Sequence, residues 1–176
     1  ALLFLGAGSV IHGMSGDQDI RNMGGLKKKM PVTFITFLIG TVAIAGIPPF
    51  AGFFSKDQML AEIFVHSKVF FVLALIASLM TTFYMFRLLF LTFYGDFRGN
   101  DIQKNHLHES PKSMTIPLMV LAGLSVVGGF IGFPHGIGHQ LHIHHWLDGF
   151  LAKVVQPNHV EMPLQTELLL MGVTIV

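Results

Sequence analysis

Residues 69–94 run for 26 positions with a single charge, Arg87. A helix that crosses the hydrocarbon core of a bilayer needs about 20 mostly apolar residues. A run of this length therefore belongs in lipid or deep inside a large core. Composition separates the two. Of 176 residues, 52% are apolar and only 12% charged, against about 25% charged in soluble domains. That is too little charge to cover a water-facing surface, and the opposite of a disordered chain. The expectation is an all-α, polytopic transmembrane helix bundle. The formal net charge of +1 gives no footprint for nucleic acid. Cysteine is absent, which excludes disulfides, thiolate metal sites and thiol catalysis within the chain.

Four other apolar stretches accompany the first, at 1–14, 30–54, 114–133 and 164–176. Membrane strands would be about 10 residues long and alternating, so these runs read as helices. The first and last begin or stop in mid-run, and the chain opens on Ala1-Leu2-Leu3 with no initiator Met. They are read as the cut ends of a longer membrane protein. Seven basic residues, Arg21, Lys27, Lys28, Lys29, Arg98, Lys104 and Lys112, fall in the connections on one side. Three, Lys56, Lys68 and Lys153, fall on the other. The positive-inside rule puts the seven-residue side in the cytoplasm or an organelle's matrix.

The stretch from Met30 carries the most information. Lys27-Lys28-Lys29-Met30-Pro31 opens it with basic residues and a proline suited to a first helical turn. Gly46-Ile47-Pro48-Pro49 then interrupts it, because each proline removes a backbone donor and clashes with the preceding turn. The chain resumes as Phe50-Ala51-Gly52-Phe53-Phe54-Ser55-Lys56-Asp57. Two readings stand. In one, the span ends at the prolines and Lys56 lies in water. In the other, both halves lie in the membrane as a discontinuous helix. Such broken backbone is tolerated at membrane depth only within protein or beside a polar cavity, and it recurs at the ion sites of transporters. On a helix, the neighbours of Lys56 are Gly52, Phe53, Met59 and Leu60, and Asp57 points about 100° away. A buried Lys56 then has no partner on its own helix. Its charge is costly unless another helix supplies one, and a lysine so placed can take and release protons.

Two segments resemble a known family. Ala1-Leu2-Leu3-Phe4-Leu5-Gly6-Ala7-Gly8-Ser9-Val10-Ile11-His12, followed by Asp17-Gln18-Asp19-Ile20-Arg21-Asn22-Met23-Gly24-Gly25-Leu26, is similar to the antiporter-like subunit L of NADH–quinone oxidoreductase. Its mitochondrial counterpart is subunit 5 of respiratory complex I. Gly46-Ile47-Pro48-Pro49-Phe50-Ala51-Gly52-Phe53-Phe54-Ser55-Lys56-Asp57 resembles that family's second broken helix. The match covers residues 1–95, and beyond them only the span layout and a polar loop agree. The resemblance implies a subunit of about sixteen helices with two inverted five-helix repeats. It implies that residues 1–95 end the antiporter-like core and that residues 96–176 are C-terminal helices and polar loops. Lys56 matches the family's essential lysine in the second repeat, as a proton-transfer residue.

The same resemblance implies proton translocation coupled to NADH oxidation and quinone reduction. It implies no cofactor in this chain, with NADH, FMN, iron–sulfur clusters and quinone in other subunits or at their interfaces. The partners are other membrane and peripheral subunits and the lipid bilayer, in the bacterial plasma membrane or the mitochondrial inner membrane. Upstream proton-path groups of the family, including a lysine just before Ala1, lie outside the sequence, so the piece cannot pump alone. The large subunits of multisubunit sodium–proton antiporters and of membrane-bound hydrogenases share the fold and remain the alternative. The loop Gly16-Asp17-Gln18-Asp19-Ile20-Arg21 is closer to the respiratory type.

The remaining polar residues each have two readings. Arg87 lies about 10 Å from the end of its run. It snorkels to the interface, where Asp96 can meet it, or contacts a carboxylate on a neighbouring helix. Ser78, Thr81 and Thr82 form a polar patch that glues helices together or lines a hydrated path. His12 is an interface residue or a proton-loading group at the cytoplasmic mouth. Glu62 and His66, four apart, pair with each other or face solvent. His135, His139, His142, His144 and His145 cluster without the cysteine or close carboxylate of a zinc site. They read as an interfacial loop that binds no metal. Gly128, Gly129 and Gly132 read as close helix packing rather than a phosphate cradle.

Overall fold

A computed structural model describes residues 1–131 and Gly172. The described residues are helical, with no strand among them: α1 Leu2–Gly13, α2 Pro31–Ala45, α3 Ala51–His66, α4 Lys68–Phe93, α5 Asp101–His106 and α6 Lys112–Val127. Among them α4 alone is long and apolar enough to cross a membrane, while α1, α2 and α6 are shorter apolar helices. At 26 residues, α4 is about 39 Å long, enough to span with tilt. Many of its apolar side chains face outward, Phe83 at 73% exposure and Val69 at 70% among them. A contiguous apolar face of this kind is not a water-facing surface.

The chain forms two compact units, each discontinuous in sequence. The first takes Ala1–Val42 and Thr82–Leu124. Its core gathers Val10 and Met14 of α1, Met23, Leu26 and Met30 of the following loop, Phe34 and Phe37 of α2, Met85, Leu89 and Phe93 of α4, and Leu107. A smaller cluster joins Leu2 of α1 to Leu118 and Ala122 of α6. Lys27 lies over the rings of Phe34 and Tyr94, 4.8 Å from each centroid, where cation–π attraction holds a loop lysine against the helix ends.

The acidic loop after α1 is built from its own side chains. The Asp19 N–H donates to Asp17 Oδ1 at 2.9 Å, and the Arg21 N–H to Asp19 Oδ1 at 2.9 Å. These are two successive turns in which an aspartate mimics a backbone acceptor. Arg21 also pairs with Asp19 at 2.6 Å. The Arg21 side chain, then its N–H, hold the Asp19 carboxyl at about 2, below its ordinary 3.8. Asp17 is lowered too, first by the Asp19 N–H, then by Asn22 and Gln103. Because the folded value is depressed, the contribution is present above the unfolded value of about 3.9 and fades as pH falls towards the folded one. Arg21→Ala is expected to raise the Asp19 pKa towards 3.8, read from the carboxyl carbon shift in an NMR titration. An unchanged value would show that Arg21 does not set it.

The second unit takes Ala43–Thr81 and the chain from Ser125. Only Ser67, in extended conformation, separates α3 from α4. Phe64 and Phe71 pack edge to face at 5.2 Å, and Leu60, Ala61 and Phe71 form the cluster between the helices. Lys56 meets Ser78. These pairs are symmetric about Ser67, so α3 and the first half of α4 are an antiparallel hairpin.

The break expected at Gly46-Ile47-Pro48-Pro49 is there: α2 stops at Ala45 and α3 starts at Ala51. Two boundaries differ from the sequence expectation. The stretch 114–133 is helical earlier, from Lys112, and its α-helix ends at Val127 before a 3-10 turn, Gly128–Ile131. Consecutive glycines lower helix propensity there. The loop after α4 contains α5, six residues whose start is fixed by Gln103 Oε1 accepting from the Asn100 N–H at 2.9 Å.

Candidate proton-transfer site at the helix break

Between α2 and α3 the backbone turns through Gly46, Ile47, Pro48, Pro49 and Phe50. Gly46 has φ +83°, a left-handed conformation that side chains resist and glycine adopts freely. The Pro48–Pro49 peptide is cis. The Gly46 N–H donates to the Ala43 carbonyl at 3.2 Å, closing the last turn of α2. Glycine is required again at Gly52 in the first turn of α3. A Cβ there would collide with the Ala43 carbonyl oxygen, so α3 runs against the bare backbone end of α2.

Lys56 lies one turn further along α3, half-buried. Its ammonium donates to Ser78 Oγ of α4 at 3.1 Å and to the Ala45 carbonyl at 3.4 Å. The Ala45 carbonyl belongs to the last residue of α2. It carries the negative end of the helix dipole, a fitting neighbour for a cation. The side chain also closes on the turn: a Cβ at Gly46 would sit 3.1 Å from Lys56 Cδ. One ammonium is thus held by two neutral oxygens, one from each neighbouring helix. An ammonium carries three N–H donors. The site can therefore hold a proton on nitrogen and pass it on without breaking a strong ion pair to either oxygen.

The other candidate residues are placed as follows. Asp57 is buried, 2% exposed, next to Lys56 on α3. Glu62 and His66 are both exposed, and among the described residues no hydrogen bond or ion pair joins them. Arg87 is exposed on α4, and among the described residues it makes no ion pair with Asp96. His12 is exposed at the end of α1, its ring 5.7 Å from that of His108. The histidines from His135 to His145 lie outside the described residues. Thr81 donates its hydroxyl to the Ala77 carbonyl of its own helix at 2.8 Å. Ser78 read in the sequence as part of a polar patch, and its place against Lys56 depends on the one-residue α3–α4 connection. The acceptor role of Ala45 has no side-chain signal at all.

Residues 1–81 match the family model described as NADH:quinone oxidoreductase/Mrp antiporter, TM. The chain is 44% identical to NAD(P)H-quinone oxidoreductase chain 5 of a Picosynechococcus species over 98% of its own length. The chain belongs to the antiporter-like subunit 5/L family. It is also 47% identical to the chloroplastic subunit 5 of Chaetosphaeridium globosum over 78% of its length. It is 44% identical to NADH-quinone oxidoreductase subunit L of Rhodobacter capsulatus over 80%. It spans 29% of the first of these relatives and 22% of the other two. Membership of the subunit 5/L family makes it a membrane protein, which accounts for the outward apolar face of α4. The matched region contains the whole Lys56 site, from Ala43 to Ser78.

Proposed function

We propose that this chain is part of the proton-translocating membrane arm of a NADH:quinone oxidoreductase, with Lys56 as a proton-transfer residue. The observation that carries the reading is the Lys56 ammonium held by the Ala45 carbonyl and Ser78 at a proline-broken helix. A lysine so held by neutral oxygens changes its proton occupancy when a charge moves nearby, because Coulomb effects are strong in a poorly solvated site. The short helices α2 and α3 act as two halves of a discontinuous membrane segment. With α1, α4 and α6 they form part of a polytopic bundle in the plasma membrane of a bacterium or a membrane of an organelle. Redox chemistry at FMN, iron–sulfur clusters and quinone belongs to partner subunits, and this chain holds no cofactor. The names of the relatives favour this over a sodium–proton antiporter.

The test uses the intact complex in sealed vesicles. NADH oxidation is expected to drive proton uptake that is inhibitor-sensitive and independent of sodium. Sodium transport through the complex in the absence of NADH would overturn the reading in favour of an antiporter.

A further inference from the structure

We infer that Glu109, in the loop between α5 and α6, is a positioning residue that holds the start of α2, the helix whose last carbonyl accepts from Lys56. The inference rests on the Lys56 reading above. The first turn of a helix leaves backbone donors without helical partners, and a polar N-cap side chain ordinarily takes one. Here the residue before Pro31 is Met30, fully buried and without an oxygen to offer. Pro31 has no N–H. The two donors that follow both go to a residue 77 and 76 positions away: the Val32 N–H reaches Glu109 Oε2 at 2.7 Å and the Thr33 N–H reaches it at 3.4 Å. The next donor, the Phe34 N–H, already reaches the Met30 carbonyl at 2.9 Å. Glu109 therefore completes the hydrogen bonding of the whole first turn.

The other carboxylate oxygen fixes a chain of hydroxyls. Thr33 Oγ1 donates to Glu109 Oε1 at 2.5 Å. Having spent its one proton, the Thr33 hydroxyl must accept from Ser9 Oγ at 2.7 Å. Ser9 in turn must accept from Ser110 Oγ at 2.6 Å. The chain of hydroxyls ends on the Glu109 carboxylate oxygen, which accepts from Thr33, while the Ser110 hydroxyl also reaches the Ser9 carbonyl at 3.4 Å. Ser9, Thr33 and Ser110 are all buried, and a fully connected buried network specifies one arrangement. The network ties α1, the first turn of α2 and the loop into α6 at one point. A carboxylate here is also favoured by the helix dipole and by charge-assisted bonds. α2 runs as a single helix from Pro31 to Ala45, so the element that Glu109 holds is the one that carries the Ala45 carbonyl.

The experiment uses the intact complex in vesicles carrying Glu109→Ala, Glu109→Gln or Lys56→Ala. Assembly is read by native gel, along with NADH turnover and protons pumped per NADH. Loss of a helix cap shifts a docking equilibrium by about fivefold, so protons per NADH should fall about that much in the assembled Glu109→Ala complex. Glu109→Gln keeps the shape and one acceptor oxygen and should fall less. The optimum of pumping against pH should move in Glu109→Ala, a change that a merely structural residue would not cause in assembled complex. If Glu109→Ala fails to assemble, Glu109→Gln alone decides by the same ratio. Wild-type protons per NADH and an unmoved optimum would overturn the inference. Equal and complete loss in the Gln and Ala variants would overturn it too, by making Glu109 itself a proton carrier. Normal pumping in Lys56→Ala would instead overturn the functional reading on which it rests.

Discussion

Lys56→Ala is expected to abolish proton pumping by the assembled complex and to depress the NADH–quinone turnover coupled to it. Proton transfer through a positioned side chain contributes about a hundredfold or more, so the residual should approach the leak of the vesicles. Assembly should survive, because the side chain is half-buried rather than central to the α3–α4 cluster of Leu60, Ala61 and Phe71. On the proposed reading the variant also removes a charge from within the membrane, where its insertion costs at least roughly 2.5 kcal/mol at the centre, so its fold is not penalised on that account. Lys56→Arg should fail as well. Its guanidinium does not deprotonate in proteins, and the turn at Gly46, whose Cβ would lie 3.1 Å from Lys56 Cδ, leaves little room for a wider head. The measurement is protons pumped per NADH for both variants beside wild type. Normal pumping in Lys56→Ala would place the residue outside the path.

The legibility of this site in the sequence depends on the range of the interactions that build it. Helix α4 is visible in one dimension, because 26 residues with one charge have few other fates. Pro48, Pro49 and Gly46 stand where the backbone leaves the helix in the structure, since their effects are local to their own peptide units. The partners of Lys56 are not local. Ser78 comes to it because one residue, Ser67, separates two helices, and a longer connection would set a different register. The Ala45 carbonyl is a backbone group, identical in chemistry at every position. Glu109 was invisible for a further reason. An N-cap is normally sought in the residue before the helix, and Met30 offers none, so the cap arrives from the other side of the unit. The α-helix of α6 ends at Val127 although apolar residues continue past it, because Gly128 and Gly129 set where it gives way.

Gly52 is the position where substitution should damage the fold most. Its missing side chain lets the first turn of α3 lie against the Ala43 carbonyl, and a Cβ would collide with that oxygen and sit 2.9 Å from the carbonyl carbon. Both atoms are backbone, so no rotamer change can relieve the contact. The whole of α3 must move instead. Overpacking of this kind typically costs about 1–3 kcal/mol. The displacement is carried to Lys56 one turn on, whose Nζ lies 3.4 Å from the Ala45 carbonyl and 3.1 Å from Ser78. A shift of about 1 Å breaks the hydrogen-bond geometry at those distances. Gly52→Ala should therefore lower both the assembled amount and the protons pumped per NADH in what assembles. Gly52→Val should leave little complex, since the larger side chain adds to the same collision. Gly123→Ala is the control: a Cβ there meets nothing within 4 Å, and alanine favours the helix. Native gels and vesicle pumping on the three variants decide the matter. If Gly52→Ala assembles and pumps like Gly123→Ala, the close approach of α3 to the end of α2 does not hold Lys56 in place, and the hairpin with α4 must position it alone.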